Sequence, residues 1–380
     1  MPDDLARTVR WGLRRWTPQH LWYRIRLPIR RRRWRLESER AAKPFARRDG
    51  IAPSDGPAVV FGDFSGSYGL ARAALYDLAM LRKQHAILHE VDIHAILRGD
   101  RAPRALFAHA IENAYFLCQP DMLKSVLKLI EPWQIADAWR VGRWVWETPL
   151  FPADWAFAEA LFHEVRAPSR FSAATFARAL ALPVHLAPYP VALPPDTGID
   201  MRERLGIGKQ TFMGLAIMDI ISCPERKNPW AHVRAWKAAF GDDPSAVLLM
   251  KIRVGKRSKL VLKELAELIG PGRNVIVATQ DLAADEIAAL HHDADVFLSL
   301  HRSEGYGLNI HEALACGKPV VATHFSANAE YGPGFPTYRG IGYAMVPYRD
   351  WTAHYGSARF EWADADVGAA AAALREVRGV

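Results

Sequence analysis

Two glutamates, Glu304 and Glu312, stand with seven residues between them in the stretch Ser299-Leu-His-Arg-Ser-Glu304-Gly-Tyr-Gly-Leu-Asn-Ile-His-Glu312-Ala-Leu-Ala-Cys-Gly-Lys-Pro-Val-Val-Ala-Thr323. An apolar strand is predicted to end at Leu300, Gly305 and Gly307 to turn the chain, and a helix to start near Leu308 and stop at Gly317. The first turn of a helix set at the carboxyl end of a parallel strand offers free N–H groups and the positive end of a dipole, which suit a diphosphate. Glu304, in the loop, can face a sugar on the cleft side. Glu312, one turn into the helix, can accept hydrogen bonds from ribose hydroxyls. A second group is Arg226-Lys227-Asn228-Pro229, where Pro229 fits the first helical position with Asn228 as the cap. That reading places Lys227 at a helix N-terminus facing the strand ends.

The full run from Ser299 to Thr323 resembles the E-x7-E signature of retaining GT-B glycosyltransferases of family 4 (glycosyl transferases group 1). The resemblance implies a two-lobed α/β fold of the GT-B type, in which two Rossmann-like parallel-sheet domains face a cleft. It also implies a nucleotide-sugar donor. Glu304 would contact the donor sugar near the reacting carbon and Glu312 the ribose. Gly305 and Tyr306 would line the donor, while Gly307 and Leu308 offer backbone N–H groups to its phosphates. Lys227 matches the family lysine that neutralises the leaving diphosphate. At the point where the family arginine often lies, this chain has Met218-Asp219, so either Arg226 or Lys251 supplies the second charge.

Other segments bear on the acceptor side. Gly62-Asp-Phe-Ser-Gly66-Ser-Tyr-Gly69-Leu70 is similar to the N-domain loop that approaches the phosphates and the acceptor, although a purely structural turn has the same composition. Trp144-Val-Trp-Glu147-Thr-Pro149, with Trp155 and Ala167-Pro-Ser-Arg-Phe171, resembles a subgroup of mannosyl- and rhamnosyl-type enzymes of bacterial surface polysaccharide synthesis. Glu147 could bind acceptor hydroxyls, while Trp144 and Trp155 read as core. His109 is a candidate to assist the acceptor. The leaving phosphate is itself thought to take the acceptor proton in this family, so no dedicated base is required.

These residues need a scaffold. Ala58–Phe61 reads as a short buried strand, and Leu70–Leu81 has apolar residues at helical spacing. Strand, glycine loop and helix open a nucleotide-binding type half-domain. Arg143–Trp146 is predicted as a strand and Pro152–Glu164 as a helix. Pro183, Pro188, Pro190, Pro194 and Pro195 mark a linker. Beyond it, strands at 211–218, 246–252, 274–279, 295–300 and 319–323 alternate with helices at 229–240, 259–269, 283–291 and 308–316, which predicts a second parallel sheet covered on both faces. The expected organisation is a basic arm over 1–50, an acceptor domain over 51–190 completed by a C-terminal helix over 364–380, and a nucleotide-sugar domain over 191–363.

The chain has 380 residues, enough for two such domains, and a net charge of +8. That charge is local. Residues 1–43 hold twelve Arg and one Lys against four acids, whereas the rest holds 36 basic and 37 acidic residues. The arm interleaves its arginines with Trp11, Trp16, Trp22, Tyr23 and Trp34. Such a segment suits an anionic membrane surface, and a solvated tail has the same charge pattern. Nucleic acid would attract the same charge, but no nucleic-acid partner is expected. The sequence predicts no membrane-spanning helix and no secretory signal. Cys118, Cys223 and Cys316 fit no zinc or disulfide spacing. The expectation is a cytoplasmic enzyme, peripheral on the inner face of the plasma membrane, with a saccharide or lipid-linked saccharide acceptor.

No metal and no cofactor are expected. Asp293-Ala-Asp295 resembles a metal-binding pair but reads as a helix end and a strand edge, and basic residues with a helix dipole can replace a cation. Among enzymes, a phosphorylase or epimerase of the same fold is the nearest rival, though no phosphorylase cofactor lysine motif is evident. A non-catalytic sugar- or nucleic-acid-binding protein of this fold is the alternative class.

Overall fold

The computed structural model describes residues 18–100, 103–255, 258–350, 354–356 and 359–380, with side chains from residue 29 onward. Its first sheet begins with Ala58-Val-Val-Phe-Gly62 (β1), buried along its whole length as a strand covered on both faces must be. The helix Gly69–Gln84 follows, and then β2 (Leu88–Asp92), β3 (Asn113–Leu117), β4 (Trp139–Arg143), β5 (Glu164–Ala167) and β6 (Val184–Leu186). All six are parallel in the order β2-β1-β3-β4-β5-β6. Residues 187–200 carry the chain across without helix or strand, as the proline run predicts.

The second sheet comprises β7 (Phe212–Asp219), β8 (Ala246–Arg253), β9 (Val275–Ala278), β10 (Val296–Ser299), β11 (Val320–Thr323) and β12 (Tyr338–Ile341). It is again wholly parallel, in the order β12-β11-β10-β7-β8-β9. Each sheet therefore has one junction, β1/β3 in the first and β7/β10 in the second, where successive crossovers diverge. Ligands of doubly wound sheets bind outside the carboxyl ends of the strands at such junctions. An antiparallel pair, β13 (Tyr343–Pro347) and β14 (Glu361–Ala365), adds a small third sheet beside the second domain.

Four expectations need correction. The 25-residue helix Pro18–Ala42 is more than a detached arm. From Arg31 onward it lies on the first domain, with Ser38 and Ala42 buried, Trp34 edge-on to Phe157 at 5.8 Å, and Lys124 bonded to Glu37 at 2.9 Å. Trp11 and Trp16 lie outside the described residues, as do the side chains of Trp22 and Tyr23. The C-terminal helix Val367–Arg378 belongs to the second domain, not the first. Its alanines let it approach the helix Pro229–Phe240 closely, and Ala370 and Leu374 join the core around Trp236. Trp144–Glu147 lies beyond β4, because the sheet ends at Arg143, which is tied to Asp77 at 2.7 Å. Lastly, Ala153–Leu161 is a 3₁₀ helix. Its buried residues, Trp155, Ala158 and Leu161, recur every third position, the period of that helix and not of an α-helix.

Candidate functional site

Glu304 lies in the loop after β10 and Lys227 in the segment after β7, so both sit at the junction of the second sheet. The loop is braced from behind. Arg302 pairs with Asp364 on β14 at 2.9 Å and with Glu225 at 3.2 Å, and its N–H donates to the Arg226 carbonyl at 2.7 Å. His232, buried in the helix Pro229–Phe240, joins the Asn228 carbonyl through Nδ1 at 3.0 Å and accepts the Leu300 N–H at Nε2 at 3.0 Å. The end of β10 is thereby fixed on the same helix that follows Lys227.

On this support the charges converge. The Lys227 ammonium bonds Glu304 Oε1, and Arg226 Nη1 lies 3.2 Å from Glu304 Oε2. Arg226 also reaches the Ser303 carbonyl at 3.1 Å and Glu147 at 3.5 Å. Burial alone would push the Glu304 carboxyl up, but Lys227 and Arg226 outweigh it and hold it down at about 2. Burial likewise opposes the charge of Arg226, and neighbouring groups including Glu147 and Glu304 more than compensate. Arg226 is almost fully enclosed, its side chain 4% exposed against 18% for Lys227.

The second glutamate starts a second network. Glu312 lies on the helix Leu308–Ala315, which Gly307 opens in the left-handed region at φ 83°. Arg72 of the first domain stands 3.2 Å from Glu312 and 2.6 Å from Asn309, and the Tyr76 hydroxyl donates to Glu312 at 3.3 Å. His291 approaches from beneath at 3.4 Å. Burial works against ionisation of Glu312, yet Arg72, with His291 and Tyr76, keeps its carboxyl below the ordinary value.

The two domains meet in a closed seam. Ser169, the N-cap of the helix Arg170–Ala177, accepts the Ser172 N–H and donates to the Gly305 carbonyl at 2.7 Å. The Arg170 and Phe171 N–H groups both donate to Glu330 at 2.7 Å, and Ser303 Oγ donates to the Glu147 carbonyl at 2.5 Å. Gly305 is required by contact. A Cβ there would stand 2.4 Å from Val145 Cγ2 and 3.0 Å from the Trp146 carbonyl oxygen. Gly305→Ala is therefore expected to push the seam apart and cost about 1–3 kcal/mol. Urea unfolding checks this, and an unchanged midpoint would show that the seam is not closed in solution.

Several expected site residues lie elsewhere or are differently employed. His109 precedes β3, at the amino end of the sheet, and packs near His89 with ring centres 5.9 Å apart, so the chain topology removes it from the cleft. Arg226, not Lys251, touches Glu304. Lys251 is buried on β8, its pKa lowered by burial, with Asp281 and Asp219 as the carboxylates acting on it. Tyr306 is turned into a cluster with Tyr189, Leu308 and Tyr331, and its hydroxyl meets the Tyr189 carbonyl and His311. Asn228 makes no side-chain cap. It sits at φ 49° between the short helix Pro224–Lys227 and the next, so Lys227 ends a helix instead of starting one. Gly66 donates its N–H to Asp63 at 2.7 Å and Gly69 opens a helix, so this loop is first a built turn. Its Tyr68 nevertheless reaches the second domain, with the Arg253 guanidinium 5.4 Å from its ring centre. Asp293 and Asp295 are consumed structurally, by the Met201 N–H and by the Met213 N–H with Arg202. Among the described residues there is no group of three or more His, Cys, Asp or Glu arranged to hold a metal ion.

The site carries a pH signature. Burial lowers His232 and His301 to about 4, below the ordinary 6.5, so both fold as neutral rings. A group whose folded pKa is depressed contributes stability above its unfolded pKa and loses it as pH falls through the folded one. Stability is thus expected to decline from about pH 6.5 to 4 through the two histidines, and from about 4.5 to 2 through Glu304. Melting temperature against pH tests this. The gap between wild type and Glu304→Gln should narrow as pH falls to 2 and below, where Glu304 takes up its proton.

Comparison with known proteins agrees with this architecture. Residues 230–332 match the family described as Glycosyl transferases group 1. A stretch of 136 residues is 32% identical to a GDP-mannose-dependent alpha-(1-6)-phosphatidylinositol monomannoside mannosyltransferase of Mycolicibacterium smegmatis, covering 34% of this chain and 34% of that protein. The match thus spans about a third of that relative's length. Among solved structures, a glycosyltransferase from Rickettsia africae superposes with a TM-score of 0.60 at 12% identity, covering 86% of this chain and 89% of that one. Anabaena HepE in complex with UDP and glucose superposes with a TM-score of 0.51 at 17% identity, covering 72% and 82%. The chain has the GT-B fold, two Rossmann-like domains facing a cleft.

Proposed function

We propose that this chain is a retaining glycosyltransferase that moves a sugar from a nucleoside-diphosphate sugar to a saccharide or lipid-linked saccharide acceptor in polysaccharide synthesis. The observation that carries the reading is Glu304, held ionised by Lys227 and Arg226 at the junction of the second sheet and facing the first domain. The group 1 match over 230–332 supports it. In the reaction, the acceptor oxygen bonds to the anomeric carbon as the bond from that carbon to the diphosphate breaks. The acceptor proton passes to the departing phosphate. The transition state is oxocarbenium-like, so Glu304 stabilises positive charge at the ring. Negative charge grows on the diphosphate, where Lys227 and the first turn of the helix Leu308–Ala315 oppose it. Glu312 holds the ribose.

GDP-mannose is the first donor to test, because the mannosyltransferase relative uses it. Glu147, beside Arg226, is placed to meet an acceptor hydroxyl. No metal or other cofactor enters this scheme. The basic helix that starts at Pro18 would rest on an anionic membrane surface, the inner face of the plasma membrane in a cytoplasmic enzyme. No described helix is long and apolar enough to cross a membrane. The test is incubation of the purified chain with GDP-mannose and with UDP- and dTDP-sugars, following release of the nucleoside diphosphate and reading the anomeric configuration of the product by NMR. Turnover of none of the donors would overturn the reading, and an inverted product would overturn its retaining part.

A further inference from the structure

The carboxylate assigned to the ribose is covered by the protein itself. Glu312 belongs to the second domain, yet its side chain is 5% exposed, and the groups that meet its two oxygens across the seam come from one helix of the first domain, Gly69–Gln84. Arg72 Nη2 stands 3.2 Å from Oε2, and the Tyr76 hydroxyl donates to Oε1 at 3.3 Å. Residues 72 and 76 are four apart and so share a helix face, with Ala73 beside them. Ala73 and Tyr76 join an apolar cluster with Tyr306 and Leu308, and Arg72 bonds Asn309 at 2.6 Å. Leu308 and Asn309 open the helix whose first turn is the proposed phosphate site. A single helix face thus lies against both the ribose end and the phosphate end of the donor site.

The fit is loose. Arg72 Nε is buried and has no hydrogen-bond partner. Glu312 Oε2 lies near Arg72 and near His291 Nε2, at 3.4 Å, but accepts a hydrogen bond from neither, and both ring nitrogens of His291 are buried and unpartnered. Each such group is costly, so this packing holds Glu312 less well than two hydroxyl donors could. A ribose diol supplies two. We propose that Arg72 and Tyr76 stand in for the nucleotide in the empty, closed molecule, occupying Glu312 until the ribose hydroxyls of a donor take their place. The proposal rests on the transferase reading and deepens its donor half. It makes nucleotide binding a competition: the fraction of molecules with Glu312 occupied from within lowers the apparent affinity, and loss of the arginine raises it. An arginine that itself held the donor would have the opposite effect.

Isothermal titration of the full chain with GDP and with UDP tests it, in wild type, Arg72→Ala and Tyr76→Phe. Arg72→Ala should bind the nucleotide about tenfold more tightly than wild type, and Tyr76→Phe about threefold, in line with the loss of a charged and of a neutral competitor. Unchanged or weaker binding in Arg72→Ala would overturn the proposal. If Arg72→Ala does not fold, Tyr76→Phe decides alone, and unchanged or weaker binding there overturns it equally. The gain must also depend on Glu312. In a Glu312→Gln background the arginine has lost its charge partner, so adding Arg72→Ala should tighten binding by about twofold at most. A full tenfold gain in that background would show that the arginine acts elsewhere and would overturn the proposal. Weaker binding in Arg72→Ala with donor turnover intact in wild type refutes this proposal and leaves the transferase reading standing. Failure of wild type and both variants to bind either nucleotide refutes the donor reading, and this proposal with it.

Discussion

Glu304→Ala is expected to reduce transfer by ~10³-fold while leaving nucleotide binding largely intact. The asymmetry follows from where the carboxylate sits. Its contacts are Lys227 and Arg226, at the junction of the second sheet, whereas the proposed nucleotide contacts are Glu312 and the helix opened by Gly307. Removing the carboxylate therefore strips the sugar-facing charge and spares the ribose and phosphate contacts. Thermal shift with GDP should move as in wild type, and single-turnover transfer should not. Because the variant also leaves two cations without their shared carboxylate, Glu304→Gln is the companion, keeping size and one acceptor oxygen. Wild-type turnover in either variant would remove Glu304 from the mechanism.

Lys227→Ala is expected to lower the rate by about 10²–10³ at saturating donor, the usual effect of deleting one charge aimed at a developing oxyanion. Its neighbour supplies the contrast. Lys227 is partly open to the cleft and ends a short helix, so it can turn towards a diphosphate. Arg226 is enclosed and bonded to the Ser303 carbonyl and to two glutamates from two domains. Its removal takes one of two cations from the buried Glu304, the cation beside Glu147 and the bond to the Ser303 carbonyl, at a cost of about 3–5 kcal/mol. The pair should therefore separate by assay. Lys227→Ala should lose kcat with a smaller fall in melting temperature than Arg226→Ala, which loses its contacts to both domains at once. A Lys227 variant that unfolds, or one that turns over normally, contradicts this division of labour.

How much of this was legible beforehand varies between the halves. In the second domain, strands buried on both faces read as apolar runs, and Pro229–Phe240 and Lys259–Ile269 fall on the observed helix limits because proline, glycine and apolar spacing mark their ends. Glu304 and Glu312 are visible because one turn and one helix set them in line, and Arg226-Lys227 because Pro229 marks the helix that follows them. The first domain was harder. β2, Leu88-His-Glu-Val-Asp92, is an edge strand whose polar residues leave no apolar run to mark it. The C-terminal helix was assigned to the first domain because an alanine-rich helix carries no mark of the partner it covers. His109 was chosen as a histidine in the right domain, and the end of the sheet on which it stands depends on strand direction. Arg72 and Tyr76 carry no motif at all. Each is an ordinary polar residue whose importance comes from crossovers that bring distant loops to one edge.

Glu330 has a wider consequence. It sits in the second domain, yet its carboxylate serves as the acceptor for the first two N–H groups of the helix Arg170–Ala177 in the first. That helix is thus capped in trans, and moving the domains apart uncaps it. Two hydrogen bonds to a charged group, each worth roughly 1.5–3 kcal/mol, then oppose opening, against water that partly replaces them. Since about 1.4 kcal/mol is a tenfold change in an equilibrium constant, Glu330 is expected to shift the balance between closed and open molecules by an order of magnitude or more. Salt weakens a charge set against a helix dipole. The rate at which substrates enter and products leave would then respond to ionic strength, even with every group that touches the sugar unchanged.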